Sequence, residues 1–184
     1  MDDVARPRWG IFGGAFDPPH LGHLAVAAVA LAAGELERLL VVPCFEHPFG
    51  KQMAPWSDRL AMVRLAFAPL ARVEVSEVEA ELPRPSLTLN TVRTLCSGRP
   101  DVRWFLVVGS DTLKDRSSWH RFDDVVRLAE PLVIGRQGHD RGTIDFAIPD
   151  VSSSEIRRRL AAGEEHPGGL DPAVERYAAQ HSLY

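Results

Sequence analysis

The chain has 184 residues, 45% hydrophobic and 25% charged, with 21 Lys and Arg against 25 Asp and Glu for a net charge of −4. This suits a globular protein with a sizeable core and excludes a cationic field that would draw it to nucleic acid or to an anionic membrane. No apolar run approaches the roughly 20 residues of a membrane span, the opening MDDVARPRW lacks the basic-then-apolar order of a signal peptide, and Cys44 and Cys96 are too few for a disulfide framework, so a reducing cytoplasm is expected.

In chain order, RWGIFGG reads as a short buried strand ending in glycines, and LAVAAVALAA (24–33) as a helix with Gly34 as its C-cap. LERLLVVP supplies a second strand around Leu39 to Val42, stopped by Pro43. Residues 44–56 form an irregular loop, and Ser57 is the expected N-cap of a helix over DRLAMVRLAFA. RVEVSEVE alternates as a third strand, and ELPRPS links it to a helix over LTLNTVRTLCS. RWFLVVG is the clearest buried strand, near Trp104 to Val108. Asp123 opens a short helix, PLVIG is a further strand and TIDFAI a last one. Helices over SSEIRRRLAAG and DPAVERYAAQ follow, separated by an exposed acidic loop, GEEHPGG (163–169).

Strands alternate with helices nearly throughout. The pattern predicts an α/β fold: a Rossmann-like, doubly wound, mostly parallel sheet with helices on both faces, as a single domain over residues 1–184. In such a sheet, ligands bind beyond the carboxyl ends of the strands, and the loop after the first strand is the prime site. Here that loop is GGAFDPPHLGH. Gly13 and Gly14 let a ligand approach the backbone closely. No GK[ST] follows, so this is not a Walker A loop, and it is not G-x-G-x-x-G.

His20 and His23 are three residues apart with Gly22 between them. At a helix start they share one face, where aligned backbone N–H groups already favour anions. Two imidazoles there suit charge developing on a leaving phosphate. An isolated pair at this spacing reads equally as surface or core histidines. A zinc half-site lacks a third ligand and the Glu of H-E-x-x-H. Asp17 is expected to cap its own turn as an Asx-turn. Downstream, Ser152, Ser153 and Ser154 precede a helix whose capped start leaves N–H groups for phosphate oxygens, and Arg157 lies on its first turn. Alone, that segment reads equally as a capped helix with a basic solvent face, since Arg158 and Arg159 follow.

GIFGGAFDPPHLGHL resembles the signature of the H-x-G-H nucleotidyltransferases, and the chain more narrowly resembles bacterial nicotinate-nucleotide adenylyltransferases. The resemblance runs nearly end to end. VSSSEIRRRL (151–160) is similar to the superfamily's second phosphate motif, WFLVVGSDTLKDRSSWHRFDDV to the family's G-x-D…W region, and LDPAVERYAAQHSLY to its last helix with the Leu-Tyr that follows.

The resemblance implies adenylyl transfer from ATP to a pyridine mononucleotide, with pyrophosphate expelled. The attacking phosphate is already an anion, so no general base is needed. By resemblance, His20 and His23 hold the ATP phosphates and stabilise the leaving pyrophosphate, and Arg157 with Ser153 and Ser154 holds the distal phosphates. Gly13, Gly14, Ala15, Phe16 and Gly109 line the ATP site, and Asp111 contacts the adenosine ribose. Lys51 is a basic residue near the phosphates. Trp119 stacks on the pyridine ring, Thr88 lies beside the nicotinate carboxylate at a helix start, and Arg136 meets a phosphate. Mg²⁺ is the expected cofactor, bridging the phosphates with water as its other ligands. A homodimer is left open.

The departures from the family pattern cluster on the acceptor side. CFEHPFGK spaces His47 and Lys51 unusually, Leu87 stands where Tyr is usual, Asn90 where Asp is, and RQG replaces RPG. On the ATP side only Ala15, in place of Thr, differs. Two alternatives stay open: a different acceptor (nicotinamide mononucleotide, phosphopantetheine or another phosphorylated small molecule) and a catalytically idle nucleotide-binding protein. Intact His20, His23 and Arg157 argue against the second.

Overall fold

The computed structural model describes residues 6–110, 119–135, 143, 144, 146 and 151–184. β1 (Arg8–Gly14) leads into α1 (Leu21–Ala32), and β2 (Arg38–Pro43) into α2 (Trp56–Phe67). β3 (Val73–Val75) continues through a 3-10 turn at Val78–Glu81 into α3 (Thr88–Gly98). β4 (Arg103–Gly109), α4 (Phe122–Leu128) and β5 (Glu130–Ile134) follow, then α5 (Ser153–Ala161) and α6 (Pro172–Gln180). The strands form one parallel sheet in the order β3-β2-β1-β4-β5, the expected Rossmann-like arrangement. The chain steps outward from β1 to β3, then returns to set β4 on the other side of β1. The switch point therefore opens a crevice at the carboxyl ends of β1 and β4, at Gly14 and Gly109.

Alternating residues send their side chains to opposite faces. Phe12, Val41, Phe105 and Val107 meet Val26, Met62, Ile156 and Val174, so α1, α2, α5 and α6 cover one face. Ile11, Leu40, Val42 and Leu106 meet Leu89, Val92 and Val125, so α3 and α4 cover the other. Full burial of each such side chain contributes about 1.5–3 kcal/mol.

Several local expectations differ from the fold. α1 starts at Leu21 with His20 as N-cap, a turn earlier than its apolar run. Gly34 is not a left-handed cap: Ala33 closes the helix in the right-handed region, and Glu35 takes the positive φ of 52°. Gly34 is required by space, because a Cβ there would lie 2.4 Å from the Ala30 carbonyl oxygen and 2.6 Å from Leu132 Cδ2. Ser57 is not the N-cap of α2. Pro55 takes that position, and its carbonyl already accepts from the N–H groups of Asp58 and Arg59, so the first turn begins before the serine. β3 is short because its ladder ends where Ser76 N–H donates to Val41 O at 2.9 Å, after which the chain tightens into the 3-10 turn. Of TIDFAI, Ile144 pairs with β5 through bonds to Val133 and Gly135, and residues 145, 147 and 148 lie outside those described.

One side chain sets how the loops above the sheet lie. Arg59 shares the apolar stripe of α2 with Met62, Val63 and Ala66, and it is 1% exposed. Its Nη1 donates to Ala15 O at 2.8 Å and to Cys44 O at 2.7 Å, its Nη2 to Phe45 O at 3.3 Å, and its Nε to Ala54 O at 3.0 Å. One cation thereby joins the loop after β1 to both ends of the loop after β2. Burial pulls this guanidinium below its ordinary pKa, while Cys44, Asp17, Tyr184 and Glu79 act in the opposite direction.

Two outcomes follow for stability. Gly34→Ala forces a methyl group into backbone and is expected to destabilise the fold by about 1–3 kcal/mol in urea titration; an unchanged midpoint contradicts the packing role. Arg59→Met keeps an apolar stem but strips donors from several buried carbonyls, for an expected loss of about 3 kcal/mol or more, with faster proteolysis within residues 44–56 as its local sign.

Candidate active site

β1 ends in Gly13 and Gly14 at the crevice. Gly13 is exposed, while Gly14 is covered by Phe16, whose ring would lie 3.1 Å from a Cβ at position 14. Phe16 is buried and reaches that position with φ of 49°. Ala15 contributes its carbonyl to Arg59, so its side chain carries none of the loop's tethering. The loop then enters α1 at His20. His23, on the first turn, accepts the His20 backbone N–H on Nδ1 at 3.1 Å. With Nδ1 as acceptor, the ring carries its proton on Nε2. The two rings lie 3.8 Å apart between centroids, and Phe16 sits edge-on to His23 at 4.9 Å. The spacing of the two histidines thus produces one joint imidazole surface.

α5 closes on this loop from the far side of the sequence. Ser152 caps the helix, accepting Glu155 N–H at 3.2 Å, so helix geometry leaves the N–H groups of Ser153 and Ser154 without intrahelical acceptors. Ser153 Oγ donates to Pro18 O at 2.9 Å. Arg157 donates to the Asp17 carbonyl at 2.5 Å and to Ser154 Oγ at 3.2 Å. Arg158 and Arg159 turn outward instead, paired with Glu155 and Glu164. The two phosphate-type motifs are therefore one structure.

Asp17 does not form an Asx-turn. The acceptor side chain of such a turn needs an N–H two residues on, and Pro19 has none. The carboxylate is instead buried, at 1% exposure. Its Oδ1 accepts Ala54 N–H at 3.2 Å and the Tyr184 hydroxyl at 2.7 Å, and Oδ2 lies 3.6 Å from Arg157 Nη1. The 163–169 loop is not exposed throughout: Pro167 is buried, and Gly169 O accepts Leu21 N–H at 2.8 Å, fixing the first turn of α1.

The loop after β2 binds both sides of the crevice. Cys44 N–H donates to Gly14 O at 2.8 Å. Glu46 and Ser86 exchange two hydrogen bonds at 3.1 Å, and the buried Glu79 accepts Phe45 N–H at 3.0 Å and Thr91 Oγ1 at 2.8 Å. These contacts fix the start of α3, where Thr88 is the first helical residue and Leu87 the N-cap. Leucine has no side-chain acceptor, so the N–H groups of Thr88 and Leu89 are left pointing out of the helix end. Lys51 is exposed on the same loop, and the structure does not tie it to residues 13–23. Burial, then the charges of Lys51 and Arg59, hold His47 below its ordinary pKa. Burial pushes the Cys44 thiol up to about 11, which removes it as a nucleophile at neutral pH.

Gly109 ends β4 at the switch point, with Ser110 buried behind it. Trp119 is half-buried, edge-on to Phe122 at 5.8 Å, and packs on the second core. Asp111 and Arg136 lie outside the described residues. No helix among the described residues is long and apolar enough to cross a membrane. Two organising residues escaped sequence reasoning: Arg59, which had a signal, a cation in phase with an apolar stripe, and Glu79, which had none. Tyr184 was noted in the Leu-Tyr after the last helix, but nothing there signalled its bond to Asp17.

The comparisons agree with this geometry. The cytidylyltransferase-like family model matches residues 11–159. A probable nicotinate-nucleotide adenylyltransferase of Anaeromyxobacter sp. (strain K) is 44% identical over 177 residues, 95% of each chain. Another, from Myxococcus xanthus, is 36% identical over 95% of this chain and 93% of its own. Among solved structures, the nicotinic acid mononucleotide adenylyltransferase of Plasmodium falciparum complexed with NaAD superposes with a TM-score of 0.81 at 19% identity over 97% of both chains. A putative nicotinate-nucleotide adenylyltransferase from Vibrio parahaemolyticus gives 0.75 at 20% identity over 97% of this chain and 95% of that one. These last two are likenesses of fold. With the family model running from β1 into α5 and such relatives matching nearly the whole chain, the chain belongs to the cytidylyltransferase-like family and, within it, to the nicotinate-nucleotide adenylyltransferases.

Proposed function

We propose that this chain transfers the adenylyl group of ATP to nicotinate mononucleotide, giving deamido-NAD and pyrophosphate, as a cytoplasmic single-domain enzyme of NAD biosynthesis. The observation that carries the reading is the direct junction of the two phosphate motifs: Ser153 and Arg157 bond to the backbone of Pro18 and Asp17, immediately before the His20–His23 pair. A nucleotide triphosphate laid across that junction meets imidazole, hydroxyl, guanidinium and helix-start N–H groups together.

The chemistry asked of these residues is positioning and charge neutralisation. The acceptor's phosphate oxygen attacks the α-phosphorus of ATP, the bond to the bridging oxygen breaks, and pyrophosphate leaves. His20 and His23 stabilise the charge that accumulates on the leaving group, His23 through the proton on Nε2. Arg157, Ser153 and Ser154 hold the distal phosphates. Gly13, Gly14, Ala15 and Phe16 shape the floor under ATP, and Gly109 leaves room at the switch point. Lys51 reaches the phosphates from the loop after β2.

Mg²⁺ fits this site as the companion of the phosphates. The donors are cationic or N–H and O–H groups, and the nearby Asp17 carboxylate is already engaged by Ala54 and Tyr184, so the phosphates and water would hold the ion. When bound it supplies charge neutralisation to the triphosphate.

For the acceptor, Trp119 offers an aromatic face to the pyridine ring, and the Thr88 and Leu89 N–H groups suit the nicotinate carboxylate. A carboxamide keeps one carbonyl acceptor but turns an NH₂ toward the other donor, which leaves that donor without an acceptor. The apolar cap Leu87 supports this reading, because a Ser or Asp there would consume a donor.

Turnover with ATP and a panel of mononucleotides tests the function. His23→Ala is expected to lower kcat by about two orders of magnitude or more with the fold intact by circular dichroism; near-normal turnover removes the mechanism. One mispaired buried contact costs about 1–3 kcal/mol, so kcat/KM is expected to favour the nicotinate form over the nicotinamide form by roughly tenfold or more. Equal constants, or a preference for the amide, would replace the acid-pocket assignment with an amide-using or dual-specificity enzyme.

A further inference from the structure

Asp17 poses an electrostatic problem for a phosphate site. It is a buried carboxylate in the loop on which the triphosphate is proposed to rest, and it lies 3.6 Å from Arg157, the cation meant for the phosphates. An uncompensated carboxylate there would compete with substrate for that guanidinium. The structure supplies compensation from a distant segment. Past α6 the chain runs back through Leu183 to Tyr184, both packed against the first core, and the Tyr184 hydroxyl donates to Asp17 Oδ1 at 2.7 Å. Ala54 N–H donates to the same oxygen at 3.2 Å. Arg157 is left at ion-pairing distance from Oδ2, beyond hydrogen-bonding reach, and directs its hydrogen bonds to the Asp17 carbonyl and to Ser154 Oγ.

We infer that Tyr184 is a positioning residue for ATP. Its hydroxyl occupies the Asp17 carboxylate and so leaves Arg157 available to the distal phosphates. The inference rests on the proposed phosphate role of Arg157. Tyr184 touches neither substrate. Its effect travels through Asp17 to Arg157, on the ATP side of the crevice, and leaves the acceptor side untouched. Burial and the adjoining Asp17 carboxylate raise the Tyr184 pKa, which keeps the phenol protonated as a donor.

Tyr184→Phe keeps the ring and its packing and removes only the donor. The loss of one hydrogen bond is expected to raise the KM for ATP about five- to tenfold, with the KM for the acceptor changing less than about twofold. A purely structural role would move both KM values together, in step with a fall in Tm. The coupling is read from a double-mutant cycle: in an Arg157→Ala background, and equally in Asp17→Asn, which removes the competing charge, Tyr184→Phe is expected to leave the ATP KM within about twofold of its background value. A persistent ATP effect in those backgrounds, or parallel changes for both substrates, overturns the inference. An impaired Arg157→Ala enzyme beside a wild-type Tyr184→Phe enzyme overturns this inference alone. An Arg157→Ala enzyme with unchanged ATP kinetics overturns the phosphate role of Arg157 and this inference with it. Should Tyr184→Phe not fold, Asp17→Asn alone decides, because freeing Arg157 is expected to lower or preserve the ATP KM, and a rise opposes the competition argued here.

Discussion

A guanidinium buried in a sheet-and-helix core without a hydrogen-bonded carboxylate needs a specific reason. Moving a cation out of water costs several kcal/mol, and the offset must come from well-made bonds and nearby opposite charge. Arg59 obtains both. Its donors end on carbonyls of Ala15, Cys44, Phe45 and Ala54, loop groups that no strand ladder can satisfy. Asp17 and Glu79 add their field. The consequence is geometric. Ala15 belongs to the loop proposed to hold ATP, and Cys44 and Phe45 to the loop that reaches α3, so the relative placement of the two halves of the crevice is fixed by one rigid fork anchored on α2. A lysine could supply the charge but not that many directed bonds.

The same residues explain what could be read in advance. The sheet was legible because its code is local: short, nearly continuous buried apolar runs in RWGIFGG, RLLVVP and RWFLVVG, with apolar helices between. The histidine pair and the serine cap were legible for the same reason, as their partners lie within three residues. The connections were not. Asp17 meets Ala54 across 37 residues, Arg157 across 140 and Tyr184 across 167, and no periodicity encodes such pairings. Local rules also failed where packing overrode them. Gly34 looked like a backbone requirement and is a volume requirement, set by Leu132 from a strand far along the chain.

The two sides of the crevice are built differently, and this makes sense of where the sequence departs from its family pattern. The ATP side, in the reading proposed, depends on the side chains of His20, His23, Ser153 and Arg157. The acceptor side, in the reading proposed, depends on backbone N–H groups at the start of α3, held there by Glu79, Ser86 and Glu46. Backbone donors survive a change of side chain. In that reading Leu87 and Asn90 change side chains at the start of α3 and leave its backbone donors in place.

The three consecutive arginines of α5 carry the last step. Successive helical residues point about 100° apart, so only one of the three can face the loop. Glu155 and Glu164 take the other two: Arg158 is held by Glu155, with its side chain 70% exposed, and Arg159 by Glu164. Exposed pairs of this kind contribute little stability. Their effect is to neutralise the outer face of the helix, which would otherwise present a basic patch to any polyanion in solution. Arg157, with its side chain only 24% exposed, is the member left facing inward, where Ser154 and the Asp17 carbonyl orient its fork. A run that looks like a solvent-facing basic stripe in one dimension becomes a single directed cation in three, because the other two arginines are paired away from the loop.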